Sequence, residues 1–465
     1  MLSKSKFTRG INCPKSLWLY VHKKEEQCFD DGAMAIFALG TNTGELARGF
    51  FPGGTLAVAE DELPGYDSAQ RTQELIAAGV ETIYEATYIY DKTLVAVDIL
   101  TKIDDQWQLF EMKSTNSVKP QHYKDVAVQY YVVTGSGIPL ADASVMHMNR
   151  DYVRIGQLDV KQLFIHESVL EVVASLQDYV KDHIQELLAV ESSEEEPIRE
   201  MGGQCDIPYH CDFYDYCSKL VASPLTRHPS LVTLAPSQKT DPSPVTRQSS
   251  PNITPGPIRT FLKSIPYPHY YLDFETIMPC VPMFDYSRPY QQLAFQYSLH
   301  YKASRGADCE HSEYLAGHKE DPRIGLIRSL IENTRRPGPI IVYNIGFERS
   351  RLSEMQRDFP RYATELGHII KRLVDLMPVF RSKHYVTESM GGSYSIKSVL
   401  PALCPDCTYD ELEIQDGGSA SGIFLGLYGC EDAELIEKTR QDLLAYCKMD
   451  TWGMVRVVEV LESCV

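Results

Sequence analysis

The sequence has no apolar run near the roughly 20 residues that a membrane-spanning helix requires. Its basic opening stretch, MLSKSKFTRGINCPKSLWLY, carries no apolar core of the secretory type. Positive charge is scarce: 45 Lys and Arg stand against 63 Asp and Glu, a net charge of −18. That balance argues against a protein that coats nucleic acid unselectively. It leaves a nuclease open, because carboxylates that hold metal ions are part of the negative sum. No internal repeat is visible. These absences predict a soluble, cytoplasmic protein with no membrane contact. In that setting the 12 cysteines read as thiols, metal ligands or redox groups rather than disulfides.

What is present is a globular composition, 43% hydrophobic and 23% charged, spread over 465 residues. That length is too great for one ordinary core and predicts two or three domains. Between residues 223 and 257 the text becomes SPLTRHPSLVTLAPSQKTDPSPVTRQSSPNITPGP, rich in Pro, Ser and Thr with no apolar period. It predicts a linker between a first domain, 1–222, and a second, 258–465. Charge is uneven along the chain. Lys4, Lys6, Arg9, Lys15, Lys23 and Lys24 form a basic strip with no acid among them, and acids gather around 191–196. The strip reads either as a track for a phosphate backbone or as an ordinary solvated terminus.

In the first half, TLVAVDILTKIDDQWQLFEMKST predicts two strands, 94–103 and 107–112, joined by a polar turn at Asp104-Asp105. Asp98 lies among buried-strand residues, where a charge is costly without a partner. Glu111 and Lys113 are two apart and so project from one face. Pairing the strands brings Asp98 alongside Glu111, a site for one or two Mg²⁺ ions with a lysine to steady or deprotonate a water. The plain alternative is a satisfied Glu–Lys pair beside an edge aspartate. KPQHYKDVAVQYYVVTGSG predicts a helix opened by Pro120, ended near Gly135 and carrying Gln129 and Tyr130. ALGTNTGELARGFFPGG predicts a helix with Glu45 turned inward.

Three cysteines, Cys205, Cys211 and Cys217, follow with five residues in each gap. Three soft ligands seldom close a structural metal site, which normally takes four. Cys28 and His210 are spare ligands. Cys404 and Cys407 have a C-x₂-C spacing with no second pair to complete it.

In the second half, HYYLDFETIMP is an apolar strand with Asp273 and Glu275 on one face. PGPIIVYNIGFERSRLSEM predicts a buried strand, 340–343, entering a helix that carries Glu348. KTRQDLLAYCKMDTWGMVRVVEVLE predicts a long amphipathic helix with Tyr446 and Asp450 one turn apart. RPYQQLAFQYSLH interleaves aromatics with glutamines, which suits base stacking and core packing equally.

Taken in order, Glu45, Asp98, Glu111-x-Lys113 and Gln129-Tyr130-Tyr131 resemble the PD-(D/E)XK nuclease superfamily in its RecB-like branch. The AddB-like and CRISPR-associated exonucleases of that branch have a Cys-Pro near the N-terminus and three cysteines after the core. Cys13-Pro14 matches the first, and the triplet matches the rest. The resemblance implies that Cys13 is the fourth ligand, with Cys205, Cys211 and Cys217, of a [4Fe–4S] cluster stapling the ends of the domain. Zinc and unliganded thiols are the alternatives. The equal five-residue gaps depart from the usual zinc and ferredoxin spacings and from the shorter gap usual in those relatives.

Asp273, Glu275, Glu348, Tyr446 and Asp450 resemble the DnaQ-like 3′–5′ exonucleases of the RNase H-like fold, in the branch whose last motif is Tyr-x₃-Asp. The resemblance implies two Mg²⁺ or Mn²⁺ ions held by the four acids, with Tyr446 orienting the attacking water. Glu348 stands where that family usually has Asp. Asp375 and Lys397 are expected to support the substrate. Nearly all the chain outside the linker resembles a bacterial group, domain-of-unknown-function family 2779.

The expected fold is therefore α/β: a restriction-endonuclease-like domain followed by an RNase H-like domain. The expected function is metal-dependent phosphodiester hydrolysis with two catalytic heads. Lys113, Glu111, Asp98 and Tyr446 are catalytic. Glu45, Asp98, Glu111, Asp273, Glu275, Glu348 and Asp450 bind metal, and Gln129, Tyr130 and Lys397 contact substrate. The substrate is DNA, single-stranded ends above all, with RNA also open. The rival is a nucleic-acid-binding or adaptor protein with one or both sites degenerate.

Overall fold

The computed structural model describes residues 1–28, 43–59, 61–207, 209–222 and 251–465. It is a mixed α/β protein whose chain forms two compact units. The first is Met1–Ala235 with Cys280–Tyr290, and the second is Pro236–Pro279 with Gln291–Val465. Most of the expected linker, 223–250, lies outside the described residues. Its expected end at 257 is too late. Asn252–Ile253 is already a strand, and a helix runs over Pro255–Ser264. Pro255 opens that helix because its fixed φ suits the first helical position, which needs no N–H partner. Among the described residues no helix is long and apolar enough to cross a membrane.

The first unit is built on seven strands: β1 Leu2–Ser3, β2 Thr55–Leu56, β3 Thr82–Tyr90, β4 Thr93–Ile103, β5 Gln106–Lys113, β6 Leu140–Met148 and β7 Phe164–Ser168. Strands β2 to β7 lie in sequence order, and β1 adds to β4 in parallel. The β4–β5 hairpin closes through Asp104 and Asp105, both at positive φ (52° and 61°). Short acidic side chains tolerate that conformation, and it matches the twist of a tight hairpin. Both faces of the sheet are buried. Val95, Val97 and Leu109 join one core, while Ile99, Phe110 and Met112 join another. The alternation along β4 therefore breaks at Asp98. Across from it on β3, between the pairs Tyr84–Ile99 and Ala86–Val97, Glu85 has a φ of 54°. The helix Pro120–Gly135 covers the Leu109 face.

The basic strip is not merely solvated, because most of its cations have acidic partners. Lys6 and the terminal amine pair with Glu191, Arg9 with Asp212, and Lys15 and Lys23 with Glu196. Of the acids at 191–196, Glu191 and Glu196 are the partners of N-terminal cations, and they tie the chain's first helices to Gln177–Ser192 and its neighbours.

The second unit centres on five strands: β9 His269–Ile277, β10 Leu293–Lys302, β11 Cys309–Leu315, β12 Ile340–Val342 and β13 Leu373–Asp375, with β8 (Asn252–Ile253) and β14 (Tyr385–Val386) paired apart. Their order is β11-β10-β9-β12-β13. The first three are antiparallel, and β12 and β13 continue parallel to β9. Alternation along β9 turns Tyr270, Leu272 and Phe274 into a core. It sends Asp273 and Glu275 to the other face, where the helix Ala433–Ser463 packs. Phe295, Gln296 and Tyr297 are fully or almost fully buried, so the aromatic–glutamine run on β10 is core rather than a stacking platform.

Candidate functional site

Two acid-centred sites and one cysteine-lined hollow emerge, each contained in one unit. In the first unit, Glu111 at the end of β5 is 2% exposed. Lys4 Nζ, from the helix Lys4–Asn12, donates to both its carboxylate oxygens at 2.7 and 2.9 Å. Lys113 Nζ lies 2.9 Å from Oε1, and Gln129 Nε2 donates to Oε2 at 2.6 Å. Lys113 also pairs with Asp125, one turn before Gln129 on the same helix face. Half-buried Asp98 accepts from the Met112 amide at 2.6 Å.

The electrostatics follow from this packing. Burial and the nearby Glu111 charge push Asp98 up to about 8. Burial alone would raise Glu111, but Lys113 and Lys4 outweigh it and hold the carboxyl well below its usual range. Burial likewise works against the Lys113 ammonium, and Glu111 and Asp125 overcome it and raise Lys113.

Asp98, Glu111, Lys113 and Gln129 thus meet as the sequence led us to expect, with two corrections. Glu45 does not join them. Residues 43–48 are helical and bury Thr43 and Ala47, so Glu45, half a turn round, is exposed. Gln129 is fully buried and committed to Glu111 rather than open to a substrate, and Tyr130 packs partly against the core. Lys4, Glu85 and Asp125 were missed. Asp125 was findable from its four-residue spacing to Gln129, whereas nothing local marks Lys4 as a partner of Glu111, 107 positions away.

Cys13, Cys205, Cys211 and Cys217 all line one hollow, with about 330 Å³ of empty space partly open to solvent. Cys13 joins two helices, Lys4–Asn12 and Pro14–His22. Cys205 ends a short 3₁₀ turn, the Cys211 amide donates to the Cys205 carbonyl at 2.8 Å, and Cys217 lies in the helix Tyr214–Ala222. Neither spare ligand lines the hollow. Cys28 is exposed and held through its backbone by Asp212, while His210 is exposed and bonded to Asp206. Cys404 and Cys407 are buried free thiols near Arg456.

In the second unit, Asp273 and Glu275 leave β9 toward Tyr446, Cys447 and Asp450 on the helix Ala433–Ser463. One oxygen each of Asp273 and Glu275 and the Cys447 sulfur lie within 4.8 Å of one another, the only such set of three His, Cys, Asp or Glu groups among the described residues. Asp450 Oδ1 accepts from the Tyr409 hydroxyl at 2.6 Å. Lys397 stands over the rings of Tyr446 and Tyr409, 5.1 and 5.6 Å from their centres. Its amine also donates to the Gln415 carbonyl.

Glu348 enters from the first turn of the helix Ile345–Asp358 and is 1% exposed. Its Oε2 is buried without a hydrogen-bond partner. Asp375 does not join the cluster as a fourth acid. Its Oδ1 accepts from the Asn344 and Met377 amides at 3.1 and 3.0 Å, which fixes the left-handed turn (Asn344 φ 76°) that aims the Glu348 helix.

Burial, followed by Asp450, Glu275 and Glu348, raises Asp273 far above the carboxylate range. Burial and Asp450 push Glu275 up to about 8, and burial and Asp375 push Glu348 up to about 8. Burial raises Asp450 to about 6, with Tyr409, Lys397 and Tyr446 pulling the other way. These acids cannot all ionise without an added positive charge. At Gly417 an added Cβ would lie 3.5 Å from Glu275 Oε2 and 4.0 Å from the Tyr446 hydroxyl, so a bare backbone lies against the site. Tyr409 and Cys447 were missed. Cys447 lies three residues before Asp450, a helical spacing that could have marked it, while Tyr409 has no such signal.

A mixed α/β chain with a buried carboxylate–thiol group able to hold a metal ion is the class these observations define. Residues 270–395 match the family described as Domain of unknown function (DUF2779). That stretch contains Asp273, Glu275, Glu348 and Asp375 and stops before Tyr446 and Asp450. An uncharacterized protein of Mycoplasma pneumoniae is 28% identical over 207 residues, 40% of this chain and 31% of that protein. One of Mycoplasma genitalium is 25% identical over 219 residues, 42% of this chain and 32% of that one. The matched stretch therefore spans about a third of these relatives' length.

Proposed function

We propose that the protein is a metal-dependent nuclease, with phosphodiester hydrolysis centred on Asp273, Glu275, Glu348 and Asp450. The observation that carries this reading is the buried, partnerless Glu348 Oε2 beside three further acids that raise one another. An unpaired carboxylate oxygen in a protein interior is costly, and a hard divalent cation relieves that cost. Asp273, Glu275, Glu348 and Asp450 would hold Mg²⁺ or Mn²⁺, with Cys447 adjoining. Such ions lower the pKa of a bound water and offset charge on a phosphate. Tyr446 holds its hydroxyl near Glu275, where it can orient a water. Tyr409 steadies Asp450, and Lys397 is placed to meet a phosphate oxygen. The five-stranded mixed sheet with its acids on the central strand supports an RNase H-like, DnaQ-like assignment.

For the first unit we propose a RecB-like PD-(D/E)XK domain, supported by Asp98, Glu111 and Lys113 meeting on one hairpin. Its four cysteines are proposed to hold a [4Fe–4S] cluster. A single zinc ion held by the same four thiolates is the alternative.

The test is digestion of DNA and RNA oligonucleotides labelled at either end, in Mg²⁺, in Mn²⁺ and in chelator. Metal-dependent loss of 3′-terminal nucleotides, absent in Asp450→Asn, is the expected result. Binding that persists in chelator without any cleavage would instead favour the adaptor reading.

A further inference from the structure

Glu111 presents a difficulty for any metal at the first site. A carboxylate offers about four lone-pair positions. Here four donor contacts fill them: Lys4 on each oxygen, Lys113 on Oε1 and Gln129 on Oε2. Two of the three donor groups are ammoniums, so the charge as well as the geometry of Glu111 is already met. A divalent ion would have to remove one donor.

Lys113 and Gln129 are poor candidates to leave. Lys113 is also paired with Asp125, and Gln129 is fully buried with a second contact to the Asp125 carbonyl. Lys4 is different: its side chain is about as exposed as that of Lys113 (25% against 22%), but Glu111 is its hydrogen-bonding partner among the described residues, with no counterpart of Asp125. Its placement is nonetheless built in. The helix that carries Lys4 is clamped by the pairs of the terminal amine and Lys6 with Glu191 and of Arg9 with Asp212. At Gly10 an added Cβ would come within 2.6 Å of Leu187, so this helix packs closely on Gln177–Ser192. The backbone under Lys4 is thus fixed, while its four-carbon stem leaves the ammonium free to swing.

We infer that the Lys4 ammonium is a resident cation of the first site, holding the position on Glu111 that a divalent ion would take, so that metal enters only by displacing it. The first site is then self-neutralised, with low affinity for Mg²⁺ or Mn²⁺ in the absence of something else to receive Lys4. A nucleic-acid phosphate is the matching anion, because it would draw the ammonium off Glu111 as it brings the metal's other ligands. This inference rests on the reading of the first site as metal-dependent.

The experiment uses the full chain with Glu275→Gln and Asp450→Asn to silence the second site, and titrates Mn²⁺ by electron paramagnetic resonance. Lys4→Met keeps most of the stem and removes the charge, and it is expected to bind Mn²⁺ at least about tenfold more tightly, the gain from removing one competing cation. Lys4→Arg keeps the charge and is expected to match the parent. A Met variant that binds no more tightly than its parent, or an Arg variant that gains as much as Met, overturns the inference. If Lys4→Met fails to fold by circular dichroism, the lysine-intact protein decides the matter. Acylation of Lys4, followed by peptide mass spectrometry, is expected to rise several-fold at saturating Mn²⁺, and unchanged labelling counts against displacement. Because binding is read directly, a double variant that cleaves nothing but shows the gain retains the resident cation and loses only the reading of the first unit as a nuclease. One that cleaves without the gain does the reverse.

Discussion

The two acid-centred sites use the same residue types with opposite charge accounting. In the first, Glu111 is met by two ammoniums and an amide and is held below its ordinary range. In the second, Asp273, Glu275 and Asp450 share the reach of Lys397, Glu348 has Arg351 nearby, and all four are still pushed upward. A carboxylate motif is therefore not a metal site by composition. The second site is short of a cation and the first supplies its own, so dependence on added metal should differ sharply between the two.

The largest expected effect lies in the cation-poor site. Asp273→Asn or Glu348→Gln removes a charge on which a divalent ion depends, and several kcal/mol of transition-state stabilisation go with it. Single-turnover release of 3′-terminal nucleotides should fall by roughly 10³-fold. A near-normal rate for Glu348→Gln would remove that residue from the set and weaken the contrast.

Next comes the cysteine hollow. If the cysteines hold an iron–sulfur cluster, anaerobically purified protein should be brown, and Cys13→Ser should bleach it and lower the first unit's melting temperature while sparing the second's. A loss of about 2 kcal/mol corresponds to about 4–8 °C for a unit of this size. A colourless wild-type preparation with stoichiometric zinc would replace iron–sulfur with zinc.

A pH scan separates the sites by stability. Glu275 and Glu348 are raised from 4.5 to about 8. Between those values the folded second unit holds protons that the unfolded chain has released. Its stability therefore falls as pH rises through that window. Melts in chelator should show this decline, and excess Mg²⁺ should flatten it. A decline that is the same with and without Mg²⁺ would argue that these acids hold no cation.

The smallest effect is expected from Tyr409→Phe. Its hydroxyl stabilises ionised Asp450, which titrates at about 6. Without it the Asp450 pKa rises, so the acid limb of the pH–rate profile should move to higher pH, with a rate loss of about tenfold or less at neutrality. A profile that drops in height without moving would assign Tyr409 a packing role only.

Much of this arrangement was legible along the chain. The hairpin around Asp104-Asp105, the helix Pro120–Gly135 and the acid-bearing strand β9 lie within a residue or two of expectation. Each is specified by near neighbours: turn residues that accept positive φ, a proline at a helix start, alternation on a strand. Glu45 misled because an acid on a short helix carries no local sign of which way it faces. Neighbouring Thr43 and Ala47 took the buried side. The pairing of the basic strip was not legible for a related reason, since its partners lie far along the chain.

The sequence by itself determined which acids share a face. Two residues on a strand or four on a helix set that by backbone geometry alone, as for Asp273 with Glu275 and Tyr446 with Asp450. Only the tertiary structure decided which acids are satisfied and which are starved. Electrostatic partners need to be near in space and not in sequence. Lys4 reaches Glu111 across 107 positions, and Tyr409 reaches Asp450 across 41. Whether a buried carboxylate calls for a metal ion depends on those partners, and they exist only once the chain has folded.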